Sequence, residues 1–181
     1  MYFNSTIRLV LLFLITIFTS CQNNKTQNEI SAINQLESLT QSDLHNLNTI
    51  NIDKLQESIL ISDFNLLELE KMEMIDSSHI ELINFEYRNY LDCIRTIREI
   101  IMSIQEYHDM LTYNAKQLSD LKLDYQNSKN KTNNLDLYLN NETTIIKNTS
   151  IEIEKLSRSS FNILEYFEHL NFKIENIINE N

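Results

Sequence analysis

The chain has 181 residues and contains neither glycine nor proline, whereas average usage would supply about twenty of the two together. Tight hairpins, bulges and positive-φ corners draw on glycine, and loop punctuation draws on proline, so β-rich and loop-rich folds are disfavoured and an all-α fold is expected. The formal net charge is −11, and Arg8 is the only charged side chain before Cys21, which leaves −12 for the remainder. Nucleic-acid binding needs a clustered Lys/Arg face, and the nearest approach to one, Lys129 with Lys131, sits in a polar connection and reads as solvated loop.

The first element in chain order is an apolar run from Leu9 to Phe18, preceded by Arg8 and followed by Thr19 and Ser20. A membrane-spanning helix needs about 20 apolar residues; this run is roughly half that and has the length of a signal-peptide core. Residues 1–20 are therefore expected to be an export signal. The string Phe18-Thr19-Ser20-Cys21 resembles the lipobox of bacterial lipoproteins, with Phe18 where that family usually has leucine. The resemblance covers the leader only. It implies cleavage before Cys21 and lipidation of Cys21, and the leader with its polar continuation is similar to those of small envelope lipoproteins of the Bacteroidetes.

Residues 21–28 then form a polar stretch expected to act as a flexible tether from the lipid. In the sorting rule of enteric lipoproteins, Gln22 in place of aspartate implies delivery to the outer membrane. In the Bacteroidetes, surface display goes with acidic residues soon after the cysteine; none precedes Glu29, which implies a periplasm-facing location. With Cys21 acylated, Cys93 is the only remaining thiol and reads as a buried small hydrophobe.

A helical bundle is expected over 29–179. Its N-terminal half carries Ile30, Ile33, Leu36, Leu44 and Leu47, then possible caps at Asn51 and Asp53, then Ile52, Leu55, Ile59, Leu66 and Leu69. This is one bent helix or two shorter ones, with Asp63 or Asp76 available to cap a further break. Asparagine, abundant throughout, tolerates the left-handed conformation and is expected to replace glycine at turns.

The clearest periodicity follows, in a long helix expected over about 75–126. Ile83, Tyr90, Ile97, Ile104, Leu111, Leu118 and Tyr125 recur every seven residues, with Cys93, Ile100, Tyr107 and Leu121 in a neighbouring row and Ile94, Ile101 and Ala115 in another. A strict seven-residue repeat implies coiled-coil-like packing against other helices, and this length of helix would extend on the order of 75 Å, making the molecule elongated. Asn127 to Glu142 reads as the reversing connection, in which Leu135, Leu137 and Leu139 form a short turn packed on the bundle end. The last helix, about 143–178, has Ile146, Ile153, Phe167 and Ile174 in one row, interrupted by Ser160, and Leu156, Ile163, Leu170 and Ile177 in the next. An antiparallel bundle of three or four helices is the simplest way to bury these stripes.

Phosphate-binding loops, dinucleotide fingerprints, nucleophile elbows and EF-hand loops all need glycine, so those classes are excluded together. The di-iron pattern of helical bundles needs Glu-x-x-His, and none of His45, His79, His108 and His169 has a glutamate three residues earlier. The nearest approaches are Asp76 with His79, and Glu165 and Glu168 with His169, which read as a helix start and a charged outer face. No catalytic residue, cofactor or metal ligand is assigned. The expected function is that of a non-catalytic, lipid-anchored interaction or structural module with an envelope protein as partner. The alternative is a sensor bundle holding a small molecule near Tyr107 and Tyr125, with Tyr87, Tyr90 and Tyr113 as further candidates. Heptad stripes serve intra- and intermolecular packing equally well, so self-association stays open.

Overall fold

The computed structural model describes residues 3–73, 80–127 and 133–180, and the side chains of 26–71, 85–127 and 134–180. Among the described residues every regular element is an α-helix: α1 Phe3–Asn48, α2 Ile52–Glu73, α3 Ile80–Asn127 and α4 Asn133–Glu180. The protein is an all-α bundle. Ile75, Asp76, His79, Lys129 and Lys131 lie outside the described residues, as does the side chain of Ile83.

Two boundaries differ from the sequence expectation, and a third point that it left open is decided. First, α1 includes 22–28, where a flexible tether is expected; neither glycine nor proline interrupts the run, and propagation of a helix already begun needs only one more hydrogen bond per residue. Second, α4 starts at Asn133, ten residues before the expected start at 143. Leu135 and Leu139 continue the stripe backwards from Ile146 and are buried with it, whereas Leu137 is 58% exposed, so helical spacing buries two of the three leucines. Third, the N-terminal half is two helices, broken only at Thr49–Asn51, and α2 runs through Asp63 without a break.

That break shows how the chain turns without glycine. The N–H of Thr49 donates to the carbonyls of both His45 and Asn46 at 3.1 Å, and the N–H of Ile50 donates to that of Leu47 at 3.2 Å, so the last turn of α1 tightens. Asn51 then caps α2, its Oδ1 accepting from the N–H of Lys54 at 2.9 Å, and Asp53 places negative charge in the first turn. Leu47, Ile50 and Leu55 are all buried, which pins the break in place. No described residue has positive φ. Asparagine therefore acts here as an N-cap and not as the expected left-handed substitute for glycine.

The chain divides into two compact units, Met1–Gln41 with Thr112–Lys147 and Ser42–Leu111 with Asn148–Asn181. In the first, Ile33 and Leu36 of α1, Leu118, Leu121 and Tyr125 of α3, and Leu135, Leu139 and Ile146 of α4 form the core. The Tyr125 hydroxyl donates to Asp136 Oδ1 at 3.0 Å, and burial with the neighbouring carboxylate raises its pKa far above the usual phenol range. Lys122 donates to Glu37 at 2.7 Å, a half-sheltered pair that joins α3 to α1 beside the apolar seam.

In the second unit, the core gathers Leu55 and Leu69 of α2, Tyr90, Ile97, Ile104 and Leu111 of α3, and Ile153, Phe167, Leu170 and Ile174 of α4. Fully burying one such side chain contributes about 1.5–3 kcal/mol. The pairs Glu86–Lys173, Tyr90–Asn171 and Met110–Thr149 fall on α4 as they rise on α3, so these helices run antiparallel. Asp63–Arg98 and Asn65–Tyr90 make α2 antiparallel to α3 as well. The expected heptad row of α3 is buried at every described position from Tyr90 to Tyr125, divided between the two cores.

Candidate functional site

Cys21 falls within α1, and its side chain is not among those described. His45, His108 and His169 are exposed, and Glu168, near His169 in sequence, is engaged by Lys54. Among the described residues no three His, Cys, Asp or Glu side chains gather closely enough to hold a metal ion. Cys93 is 2% exposed, and burial pushes its thiol up to about 11, which leaves it little thiolate at neutral pH.

Tyr125 is a core residue of the first unit, whose hydroxyl is taken by Asp136. In the second unit Tyr87 and Tyr107 are partly buried against the core, while Tyr90 is buried and stacked on Phe167 with ring centroids 5.7 Å apart. Tyr113, in the first unit, is 61% exposed.

The Tyr90 hydroxyl belongs to a polar node shared by three helices. It donates to Asn171 Oδ1 at 2.7 Å, and Asn65 Nδ2 donates to the same oxygen at 2.8 Å and to the Tyr90 oxygen at 3.3 Å. Asn171 Nδ2 in turn donates to Glu175 Oε1 at 2.8 Å. Burial pushes the Tyr90 phenol up to about 12.

On the solvent side of this node lies the feature that sequence reading missed. The inward face of α2 is Leu55, Ser58, Ser62, Asn65 and Leu69, all buried, with the Ser58 and Ser62 hydroxyls donating to carbonyls one turn back at 2.8 and 2.7 Å. Leu60, Phe64 and Leu67 form a second apolar row at i, i+4 and i+7, and they are 71%, 63% and 57% exposed. The signal was present in α2: it holds more large apolar residues than one face accommodates, while serines occupy inward positions.

Leu60, Ile61 and Phe64 of α2, with Glu175, Ile178 and Asn179 of α4, line a groove of about 440 Å³ floored in part by Asn65. All of it lies in the second unit. Leu60 and Phe64 are exposed and Ile61 and Ile178 only partly buried, so the groove is an open trough, whereas small-molecule sites typically enclose most of the ligand surface. Its polar groups, the buried Asn65 and the exposed Glu175, are held in the hydrogen-bonded chain through Asn171. The arrangement offers contact area and an acidic edge.

No protein-family model matches the chain, and neither a curated protein nor a solved structure matches it. Among the described residues no helix is long and apolar enough to cross a membrane.

Proposed function

We propose that this protein is a non-catalytic interaction module of the cell envelope, attached to a membrane through lipid on Cys21. The observation that supports the interaction half is the exposed apolar row Leu60, Phe64 and Leu67, which stands opposite the buried row of the same helix. Leaving three large apolar side chains in water on one helix face forgoes several kcal/mol of burial, which a partner surface recovers. The anchoring half rests on the leader and its lipobox-like end at Cys21, and Gln22 with the absence of acidic residues before Glu29 supports an outer-membrane, periplasm-facing placement.

The small-ligand reading near Tyr107 and Tyr125 has less support, because Tyr125 is committed to the core of its own unit and to Asp136. Metabolic labelling with an acyl-chain probe, combined with crosslinking in intact envelopes, tests the two halves separately. A chain that takes no acyl label contradicts the anchor. A labelled chain whose exposed faces crosslink to nothing contradicts the interaction role.

A further inference from the structure

We propose that the α2–α4 groove docks an amphipathic helix of another protein, with apolar side chains laid against Leu60, Phe64 and Leu67 and with Lys or Arg along its flanks. This rests on the interaction-module reading and names its partner chemistry.

The shape argues for a helix. The ridge repeats at i, i+4 and i+7 along α2, and the trough beside it is walled on the far side by Ile178 of α4. An apolar stripe of the same spacing on an incoming helix interdigitates with such a ridge. A small molecule in so open a trough would keep much of its surface in water.

Charge selects the kind of helix. From Ile52 to Glu73, α2 carries six acidic residues, Asp53, Glu57, Asp63, Glu68, Glu70 and Glu73, against the two cations Lys54 and Lys71. Both cations already face carboxylates, Lys54 on Glu168 and Lys71 on Glu68 at 2.6 Å; Asp63 is met by Arg98 of α3, so the excess acidity rests on the other carboxylates of α2 and on Glu175, which adds negative charge to the trough wall. An incoming helix with basic flanks meets complementary charge, which steers encounter and fixes orientation. A second copy of this chain would bring the same acidic α2 against itself, and a bilayer favours helices whose polar face is rich in Lys and Arg.

The test places a photo-crosslinking phenylalanine analogue at position 64 of the full chain in intact cells, with Met102 of α3 and Phe161 of α4, both exposed, as comparison positions. The crosslinked peptide is sequenced by mass spectrometry. The expected product from position 64 is a segment of a different protein with apolar residues at helical spacing flanked by Lys or Arg, and Leu67→Glu lowers its yield at least about tenfold. A product with a second copy of this chain, with lipid, or with a segment lacking those cations overturns the proposal. If position 64 gives no product while 102 or 161 captures a partner, the groove is refuted and the interaction role stands. If none of the three positions gives a product, the interaction role itself fails.

Discussion

Tyr90 and Asn171 meet across α3 and α4 in a 2.7 Å hydrogen bond, and the same Asn171 oxygen also receives Asn65 from α2. One acceptor thus fixes three helices in register, and its removal is expected to cost more than removal of either donor. Tyr90→Phe leaves Asn171 Oδ1 satisfied by Asn65 and should destabilise by about 1 kcal/mol, the net worth of one hydrogen bond. Asn171→Leu leaves the buried Tyr90 hydroxyl without an acceptor and takes the 2.8 Å partner from Asn65, for a cost of about 2–3 kcal/mol. Denaturant melts of the two variants check the order; an equal cost would show that the node adds nothing beyond its individual bonds.

Asp43 presents the opposite case, a buried polar group that opposes folding at neutral pH. It is 3% exposed; Ser150 donates to its Oδ1 at 3.0 Å, and its Oδ2 has no hydrogen-bond partner among the described residues. Burial raises the carboxyl pKa from its ordinary value, and the Ser150 bond only partly offsets this. The folded state therefore holds this proton more tightly than the unfolded state does. The associated stability is fully present below the unfolded-state pKa and is lost as pH rises through the raised folded-state value. Asp43→Asn is expected to raise the thermal midpoint at pH 7 by a few degrees and to change it little in acid. Thermal melts followed by circular dichroism at the two pH values check it; a gain confined to acid would contradict the sign.

The parts of the fold that were legible in the sequence are those governed by heptad spacing. The rows through Ile97, Leu111 and Leu118 on α3 and through Ile146, Ile153 and Ile174 on α4 are buried as their spacing predicts, because period alone decides which face of a helix an apolar residue occupies. The start of α4 was misplaced because Asn-rich composition signals a turn, while burial of Leu135 and Leu139 overrides local preference. The exposed row of α2 was passed over because Ile52, Leu55, Ile59, Leu66 and Leu69 suffice to suggest a helix, which leaves Leu60, Phe64 and Leu67 unassigned. Only the packing shows Ser58, Ser62 and Asn65 taking the inward places that Leu60, Phe64 and Leu67 leave.

Asn51 makes the α1–α2 break locally testable. Its side chain is the N-cap acceptor for the Lys54 N–H at 2.9 Å. Asn51→Ala should cost about 1 kcal/mol, whereas Asn51→Ser or Asn51→Asp should restore most of the loss because each supplies a capping oxygen. Hydrogen exchange at the first turn of α2 distinguishes a cap from a mere surface position. Faster exchange at Lys54 in the alanine variant alone is the expected pattern, and uniform exchange in all three would remove the cap.

The last prediction concerns Cys21, on which the proposed location depends. Acyl chains contribute about 0.8 kcal/mol per buried CH₂, and stable anchoring takes more than a single chain; a lipobox cysteine of the kind Cys21 resembles carries several, which would determine membrane attachment on its own. Cys21→Ser is expected to abolish acyl labelling and to move the helical part out of the membrane fraction, or to leave it as an uncleaved precursor held by Leu9 to Phe18. The helical signal in circular dichroism should not change, since both cores are built from residues beyond Thr26. If the substituted chain is still cut after Ser20 and still sediments with membranes, attachment comes from a protein partner or from an apolar face such as Leu60, Phe64 and Leu67, and the lipoprotein reading fails. Adding Phe64→Glu to Cys21→Ser then tests that face, because the double variant leaves the membrane only where that face was holding it.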